Sequence, residues 1–237
     1  MIKKILILDP EKKVNYRISK DTSGGYGTGN DFGYSMVPKI LKYLLKKYSD
    51  WPPLFAGYTF SVLKNLSYEV TYSKNLNSEF NNFDLFIIIS SIVCCETELE
   101  LIKELKNQNK KIIAIGPFAT NMPHLYIKAG ATVIKGEPEF FFLENPNLEK
   151  IFEKEQIIFN NNFKLDDLPY PRWDLMINNL HNTNKLFGNY RSLPILGTRG
   201  CPYSCSRYCV YPLQQGKKVR QRNPRYIVDE MEYWKKE

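Results

Sequence analysis

The amino-acid sequence predicts an α/β fold, a doubly wound five-stranded parallel sheet followed by the opening of a second β/α unit. Three observations predict it. Short β-branched runs alternate with longer amphipathic ones, as a parallel sheet flanked by helices requires. The stretch Asp84 to Ile89 is almost continuously apolar, the signature of a strand buried on both faces. Finally, 237 residues with 43% hydrophobic and 24% charged side chains suffice for a sizeable core.

Taken in order, Ile5 to Leu8 reads as the first strand, and Asp9 ends its apolar run. A glycine-rich loop, Asp21-Thr-Ser-Gly-Gly-Tyr-Gly-Thr-Gly-Asn-Asp-Phe-Gly33, leads to a helix over Val37 to Tyr48 with Ile40, Leu41, Leu44 and Leu45 at helical spacing. Trp51-Pro-Pro53 breaks that helix, because proline lacks the amide that a continuing helix needs. Leu54 to Leu66 reads as a helix, Glu69 to Tyr72 as a strand, Asp84 to Ile89 as a continuous apolar strand and Glu96 to Asn107 as a helix. Lys111 to Ile115 is the fourth strand, Met122 to Ala129 a short helix stopped by Gly130, and Ala131 to Ile134 the fifth strand. The turn Gly136-Glu-Pro-Glu139 follows, and then the apolar stretch Phe140 to Leu143. From about Glu149 to Arg191 regularity fails, and Leu165-Asp-Asp-Leu-Pro-Tyr-Pro-Arg-Trp173 reads as an extended connector. Leu193 to Leu196 then reads as a new strand and Pro224 to Trp234 as a helix with proline near its start.

Composition narrows the function classes. The longest apolar stretch, Leu85 to Cys95, is interrupted by Ser90 and Ser91 and falls short of the roughly 20 residues of a membrane helix, so no span is expected. The first apolar run ends too early for a secretory signal, and a cytoplasmic protein is expected. The net charge of +8 comes largely from one segment: between Arg199 and Arg225 lie Arg199, Arg207, Lys217, Lys218, Arg220, Arg222 and Arg225, with no acid. Such clustering favours a local anionic ligand or substrate over a diffuse nucleic-acid surface, with a solvated face as the alternative. No nucleic-acid partner is expected.

Five cysteines, three of them crowded between Cys201 and Cys209, point to a metal site rather than a disulfide framework. The stretch is Gly197-Thr-Arg-Gly-Cys201-Pro-Tyr-Ser-Cys205-Ser-Arg-Tyr-Cys209-Val-Tyr-Pro. Three thiolates leave one iron of an iron-sulfur cube open, whereas structural zinc normally closes its tetrahedron with four protein ligands. This loop resembles that of the radical SAM superfamily, CxxxCxxC with an aromatic residue before the last cysteine. The resemblance implies that Cys201, Cys205 and Cys209 ligate a 4Fe-4S cluster, that Tyr208 takes the aromatic position, and that the open iron binds S-adenosyl-L-methionine. Here the second gap, Ser206-Arg207-Tyr208, is one residue longer than the family pattern. An extra residue adds about 3.3 Å of chain, which a bulge can absorb at some risk to cluster geometry.

The order of segments resembles the subgroup of radical SAM enzymes with an amino-terminal cobalamin-binding domain. The matching residues are Pro52-Pro-Leu-Phe-Ala-Gly-Tyr58, Asp84-Leu-Phe-Ile-Ile-Ile-Ser-Ser91, Gly136-Glu-Pro-Glu139 and Leu165-Asp-Asp-Leu-Pro-Tyr-Pro-Arg172. This resemblance implies a Rossmann or flavodoxin-like cobalamin domain over 1–148, a connector over 149–192, and the start of a radical SAM β/α barrel over 193–237. Loops at the carboxyl ends of parallel strands bind ligands. The expected cofactor contacts are therefore Gly25, Gly27, Gly29, Ser90, Ser91, Gly116, Gly136 and Glu137, the glycines allowing close backbone approach to a corrin ring. A mobile surface loop is the alternative for the Gly24 to Gly33 segment. For Glu137 and Glu139 the alternative is capping of the next helix. The DxHxxG cobalt-ligating histidine of many cobalamin proteins is absent; His124 lies near the site, and His181 falls in the connector. Cys94 and Cys95, just past the third strand, line the pocket or simply pack.

By resemblance the chemistry is radical generation at the cluster and methyl transfer from cobalamin to an unactivated carbon, with a flavodoxin or ferredoxin as electron donor. A β/α barrel takes on the order of 200 residues, and about 45 follow Leu193. A polypeptide completing the barrel is thus an expected partner. Two other readings stay open: a truncated or split-gene product that binds cobalamin without turnover, and a zinc-bound interaction module.

Overall fold

The computed structural model describes residues 2–11, 17–20, 28–29, 33, 35–49, 53–74, 80–159, 163–176, 185–186, 190–191, 193–203, 205 and 209–236. The first part of the chain forms β1 (Lys4–Leu8), β2 (Arg17–Ser19), β3 (Thr28–Gly29), α1 (Met36–Ser49), α2 (Leu54–Asn65), β4 (Glu69–Ser73), β5 (Leu85–Ile89), α3 (Cys95–Asn107) and β6 (Lys111–Ile115). Next come α4 (Pro117–Asn121), α5 (Pro123–Ala129), β7 (Thr132–Gly136), α6 (Pro138–Glu144), β8 (Gln156–Phe159) and α7 (Trp173–Met176). Then follow β9 (Lys185–Leu186), β10 (Tyr190–Arg191), β11 (Thr198–Arg199), α8 (Tyr211–Gln215), β12 (Arg220–Gln221) and α9 (Pro224–Lys236).

Six strands form one parallel sheet in the order β4-β1-β5-β6-β7-β8, a Rossmann-like arrangement. Counted along the chain this is the 2-1-3-4-5 order of flavodoxin-like sheets with one strand added, and its switch point lies between β1 and β5. Strand alternation sends side chains to two cores. Ile5, Ile7, Leu85, Ile87, Ile89, Ile113, Ile115 and Ile134 pack with Phe55, Tyr58, Phe60, Phe140 and Trp173 on one face. Leu6, Leu8, Phe86, Ile88, Ile112, Ala114 and Val133 pack with Leu101, Ile102, Leu105, Phe118 and Tyr126 on the other. Helices α2 and α6 therefore cover the first face and α3, α4 and α5 the second.

The sixth strand corrects the expectation of five. β8 falls in the segment read as irregular connector, because Gln-Ile-Ile-Phe is too short to show a period. Its backbone pairs with β7, and Ile158 stays exposed at the sheet edge. The expected helix Met122 to Ala129 is α5, and a further short helix, α4, precedes it; each has proline at its amino end, where the missing amide costs nothing. In α1 the residues Ile40, Leu41 and Leu44, spaced to face a core, are exposed, because α1 lies beside β2 and β9 rather than on the sheet.

The expected strand Leu193 to Leu196 is not formed. Leu196 is buried against the α2 side of the sheet with Leu193 beside it, and the chain pairs only afterwards, β11 running antiparallel to β12. A β/α barrel opens on parallel neighbours, whereas the pairing seen here among the described residues is antiparallel. The connector is a packed element instead of a tether: Leu165, Leu168 and Trp173 enter the core, and the Arg172 N–H donates to Ser61 Oγ at 2.7 Å.

At the opposite, amino-terminal edge of the sheet, Asp84 accepts hydrogen bonds from the Lys3 and Lys4 amides, both at 2.9 Å. The Lys4 and then the Lys3 N–H hold its carboxyl below the ordinary value of 3.8. A depressed carboxyl stabilises the fold above its unfolded value and loses that contribution as pH falls through the folded one. Asp84→Ala is expected to lower the urea midpoint at neutral pH, with the gap to wild type closing as pH drops below 3.8. A gap independent of pH would show that the carboxylate is not the cause.

Candidate functional site

At the switch point the chain places a buried ionic cluster. Asp9 follows β1, Ser90 and Ser91 follow β5, and Lys20 follows β2; all four are fully buried. The Lys20 ammonium donates to the Ile89 carbonyl at 2.6 Å and to Glu98 Oε1 at 2.7 Å, and lies 3.4 Å from Asp9 Oδ1. Glu98, in the first turn of α3, also accepts from the Ser91 amide at 3.0 Å, from the Ser91 hydroxyl at 3.1 Å and from the Tyr126 hydroxyl at 2.6 Å. Tyr72 donates to Asp9 Oδ2 at 2.6 Å. Burial, and then the Glu98 charge, push the Tyr126 phenol well above its usual range and the Cys95 thiol upward. Cys95 is half-buried, and Cys94 is buried at the start of α3.

A second cluster occupies the end of β7. Glu137 and Glu139 flank Pro138 at the start of α6 and are buried, as is Arg199 of β11. Arg199 pairs with Glu137 at 2.9 Å and with Glu139, and its guanidinium lies 5.9 Å from the Tyr58 ring centre. Arg220 of β12 donates to Glu137 at 2.8 Å and to the Gln215 carbonyl at 2.9 Å. Burial raises the Glu139 carboxyl, with Arg199 opposing. Beside this cluster Arg222 donates to Glu230 at 2.5 Å, to the Leu196 carbonyl at 3.2 Å and to Tyr58 at 3.3 Å. Burial, and then Glu230, push the Tyr58 phenol upward.

These pairs correct the reading of the basic segment for Arg199, Arg220 and Arg222, which are neither ligand-facing nor on a solvated face. Arg199 and Arg222 are buried and Arg220 is half-buried, each neutralised by a carboxylate, while Lys217, Lys218 and Arg225 are exposed. Of the seven basic residues of the segment, three are thus paired internally and three face solvent, while Arg207 lies outside the described residues. Glu137, at the N-cap of α6, makes no side-chain cap hydrogen bond, Glu139 lies in its first turn, and both hold arginine.

The structure brings Ser90, Ser91, Gly116, Gly136 and Glu137 together along the carboxyl ends of the strands, but their polar groups are already engaged. Ser90 Oγ accepts from the Ala119 amide at 2.8 Å, and the Gly136 amide donates to Thr120 Oγ1 at 3.2 Å. Gly116 has φ 103°, and a Cβ there would lie 3.0 Å from Phe55 and 3.1 Å from Ser90 Oγ. That glycine is required by its backbone conformation and by packing. Gly29 ends β3, whereas Gly25, Gly27, Tyr208 and His181 lie outside the described residues. His124 is exposed on α5.

The cysteine loop lies against the same edge. It leaves β11 and returns through α8, which packs on α4 and the end of β7. The Cys201 amide donates to the Gly216 carbonyl at 3.1 Å and the Cys209 amide to the Cys205 carbonyl at 2.9 Å. At Gly200, with φ 100°, a Cβ would lie 2.2 Å from the Lys218 carbonyl oxygen, so only glycine lets the two sides of the loop approach this closely. Cys201 and Cys209 are half-buried, Cys205 is exposed, and all three are free thiols. In type the donors suit a soft metal centre. Among the described residues, however, no three or more Cys, His, Asp or Glu side chains are gathered as a metal site. No described helix is long and apolar enough to cross a membrane.

Sequence reasoning missed Lys20, Glu98 and the pairing of Arg199 and Arg220 with Glu137 and Glu139, two residues it had singled out for other roles. An acid directly after an apolar strand marks Asp9, and an acid in a helix's first turn marks Glu98, but nothing local distinguishes Lys20 from any surface lysine.

No known family model matches the chain. It is similar to an uncharacterized methyltransferase of Synechocystis sp. (strain ATCC 27184 / PCC 6803 / Kazusa), 29% identical over 160 residues, a match covering 66% of this chain and 28% of that relative. The matched region thus spans less than a third of the relative's length.

Proposed function

We propose that this chain is the cofactor-binding portion of a methyltransferase-like enzyme of the cobalamin-dependent radical SAM class. The Rossmann-like sheet is the cobalamin domain, and Cys201, Cys205 and Cys209 hold a 4Fe-4S cluster that binds S-adenosyl-L-methionine. One observation carries the reading: Arg199 and Arg220 fasten a three-cysteine loop to the Glu137–Glu139 turn, on the edge where parallel α/β sheets bind ligands. Similarity to a protein described as a methyltransferase supports methyl transfer. The flavodoxin-like strand order supports a nucleotide- or corrin-sized ligand above the strand ends.

When bound, the cluster would supply the electron that opens a sulfonium ligand. The chain's own contribution is to present the thiols and to exclude water from the paired charges beneath them. The three thiols have still to be drawn together for one centre to bridge them. The substrate, the electron donor and the polypeptide that completes the barrel belong to the whole enzyme.

Anaerobic reconstitution with iron and sulfide is expected to give a brown protein whose reduced paramagnetic resonance spectrum changes on adding S-adenosyl-L-methionine. Hydroxocobalamin should co-elute with the protein in gel filtration. Stoichiometric zinc binding by the three cysteines, with no iron-sulfur spectrum, would replace this reading with a zinc-bound module.

A further inference from the structure

We infer that Arg199 and Arg220 are positioning residues that make the cysteine loop and the Glu137–Glu139 turn one cooperative unit, so that the carboxylates at the end of β7 govern how the thiols are presented. This inference deepens the function proposed above and rests on it for its biological purpose, though not for its physical content.

The geometry runs without a gap. Arg199 is two residues before Cys201, and its buried guanidinium reaches both Glu137 and Glu139. Arg220 donates to Glu137 and, through the same terminal nitrogen, to the Gln215 carbonyl. The next carbonyl, that of Gly216, receives the Cys201 amide, and the Gln215 side chain faces the Gly200 amide at 3.4 Å. Both ends of the loop are thus held by one pair of carboxylates belonging to a different part of the chain. A planar guanidinium suits this task because it presents several donors in a fixed fork, which a lysine ammonium does not. Loops opened by losing such anchors do so locally, without unfolding the core. It follows that a ligand competing for Glu137 or Glu139 releases an arginine and loosens the thiols, and that the strand-end turn and the loop cannot be occupied independently.

The test uses the metal-free chain and the rate at which N-ethylmaleimide modifies each cysteine, resolved by mass spectrometry of peptides. Cys205, exposed, reports intrinsic thiol reactivity, and Cys94, buried in the core, reports global unfolding. Arg199→Lys keeps the charge and removes the fork; Arg220→Gln removes a half-buried arginine. In both variants modification of Cys201 is expected to accelerate about tenfold relative to Cys205, as local opening permits, with Cys94 still protected. Loss of a cation alone disfavours thiolate and slows the reaction, so acceleration in Arg220→Gln reports loosening. If Arg199→Lys also exposes Cys94, Arg220→Gln decides. A Cys201-to-Cys205 ratio equal to wild type in a folded variant overturns the inference. Failure of the wild-type chain to assemble a cluster would sink the proposed function and leave this ratio, and therefore this inference, standing.

Discussion

Lys20→Met is expected to lower the free energy of unfolding by about 3–5 kcal/mol, the range found when one partner of a buried ion pair is removed. The reason lies in what remains. Asp9 and Glu98 are both fully buried, and the ammonium that lies between them also satisfies the Ile89 carbonyl at the end of β5. Methionine fills similar volume but removes the cation that both buried carboxylates face, and desolvated charge is costly when it loses a partner. The loss should appear as a shifted urea midpoint with an unchanged slope. A double variant, Lys20→Met with Glu98→Gln, is expected to recover part of the loss, because removing a charge from the cluster relieves the imbalance. Strict additivity of the two single effects would show that the cluster does not act as a unit.

Trp173→Ala is expected to cost about 3–5 kcal/mol, as large-to-small changes at buried aromatics do. Trp173 is fully buried and closes the core over α2, where a Cβ on Gly57 would lie 2.4 Å from its ring. The space left by alanine cannot be filled by Gly57, which has no side chain, so a cavity should persist. Among the described residues the indole Nε1 has no hydrogen-bond partner. Trp173→Phe should therefore retain most of the stability, since it keeps much of the ring and removes a buried N–H. Equal losses for the two variants in urea unfolding would mean that ring volume is not what matters. Destabilisation by Trp173→Ala would also show that the segment read as connector is part of the folded domain.

How much was legible varied by element. Lys111 to Ile115 is assigned alike by sequence and structure, and the Asp84 to Ile89 run differs from β5 only by its first residue, because burial on both faces leaves a local compositional mark. The Cys201 to Cys209 spacing and the Gly136–Glu139 turn are equally plain in sequence. Yet that they meet depends on Arg199 reaching Glu137 across 62 positions, a pairing with no local signature. The basic segment shows the same limit from the other side: its charges are visible in composition, whereas the neutralisation of Arg199, Arg220 and Arg222 by Glu137, Glu139 and Glu230 is visible only in space.

By itself the sequence determined the parallel α/β class, the strands β1, β4, β5, β6 and β7, and three cysteines crowded onto one loop, since each is written in the period or spacing of neighbouring residues. Only the tertiary structure decided that β8 extends the sheet, that Leu193 to Leu196 packs instead of pairing, and that Lys20 and Arg199 each sit between two buried carboxylates. The physical reason is range. Side-chain periodicity acts over a few residues, while edge pairing and buried charge neutralisation join groups such as Lys20 and Glu98, 78 positions apart, and are fixed only when the chain closes on itself.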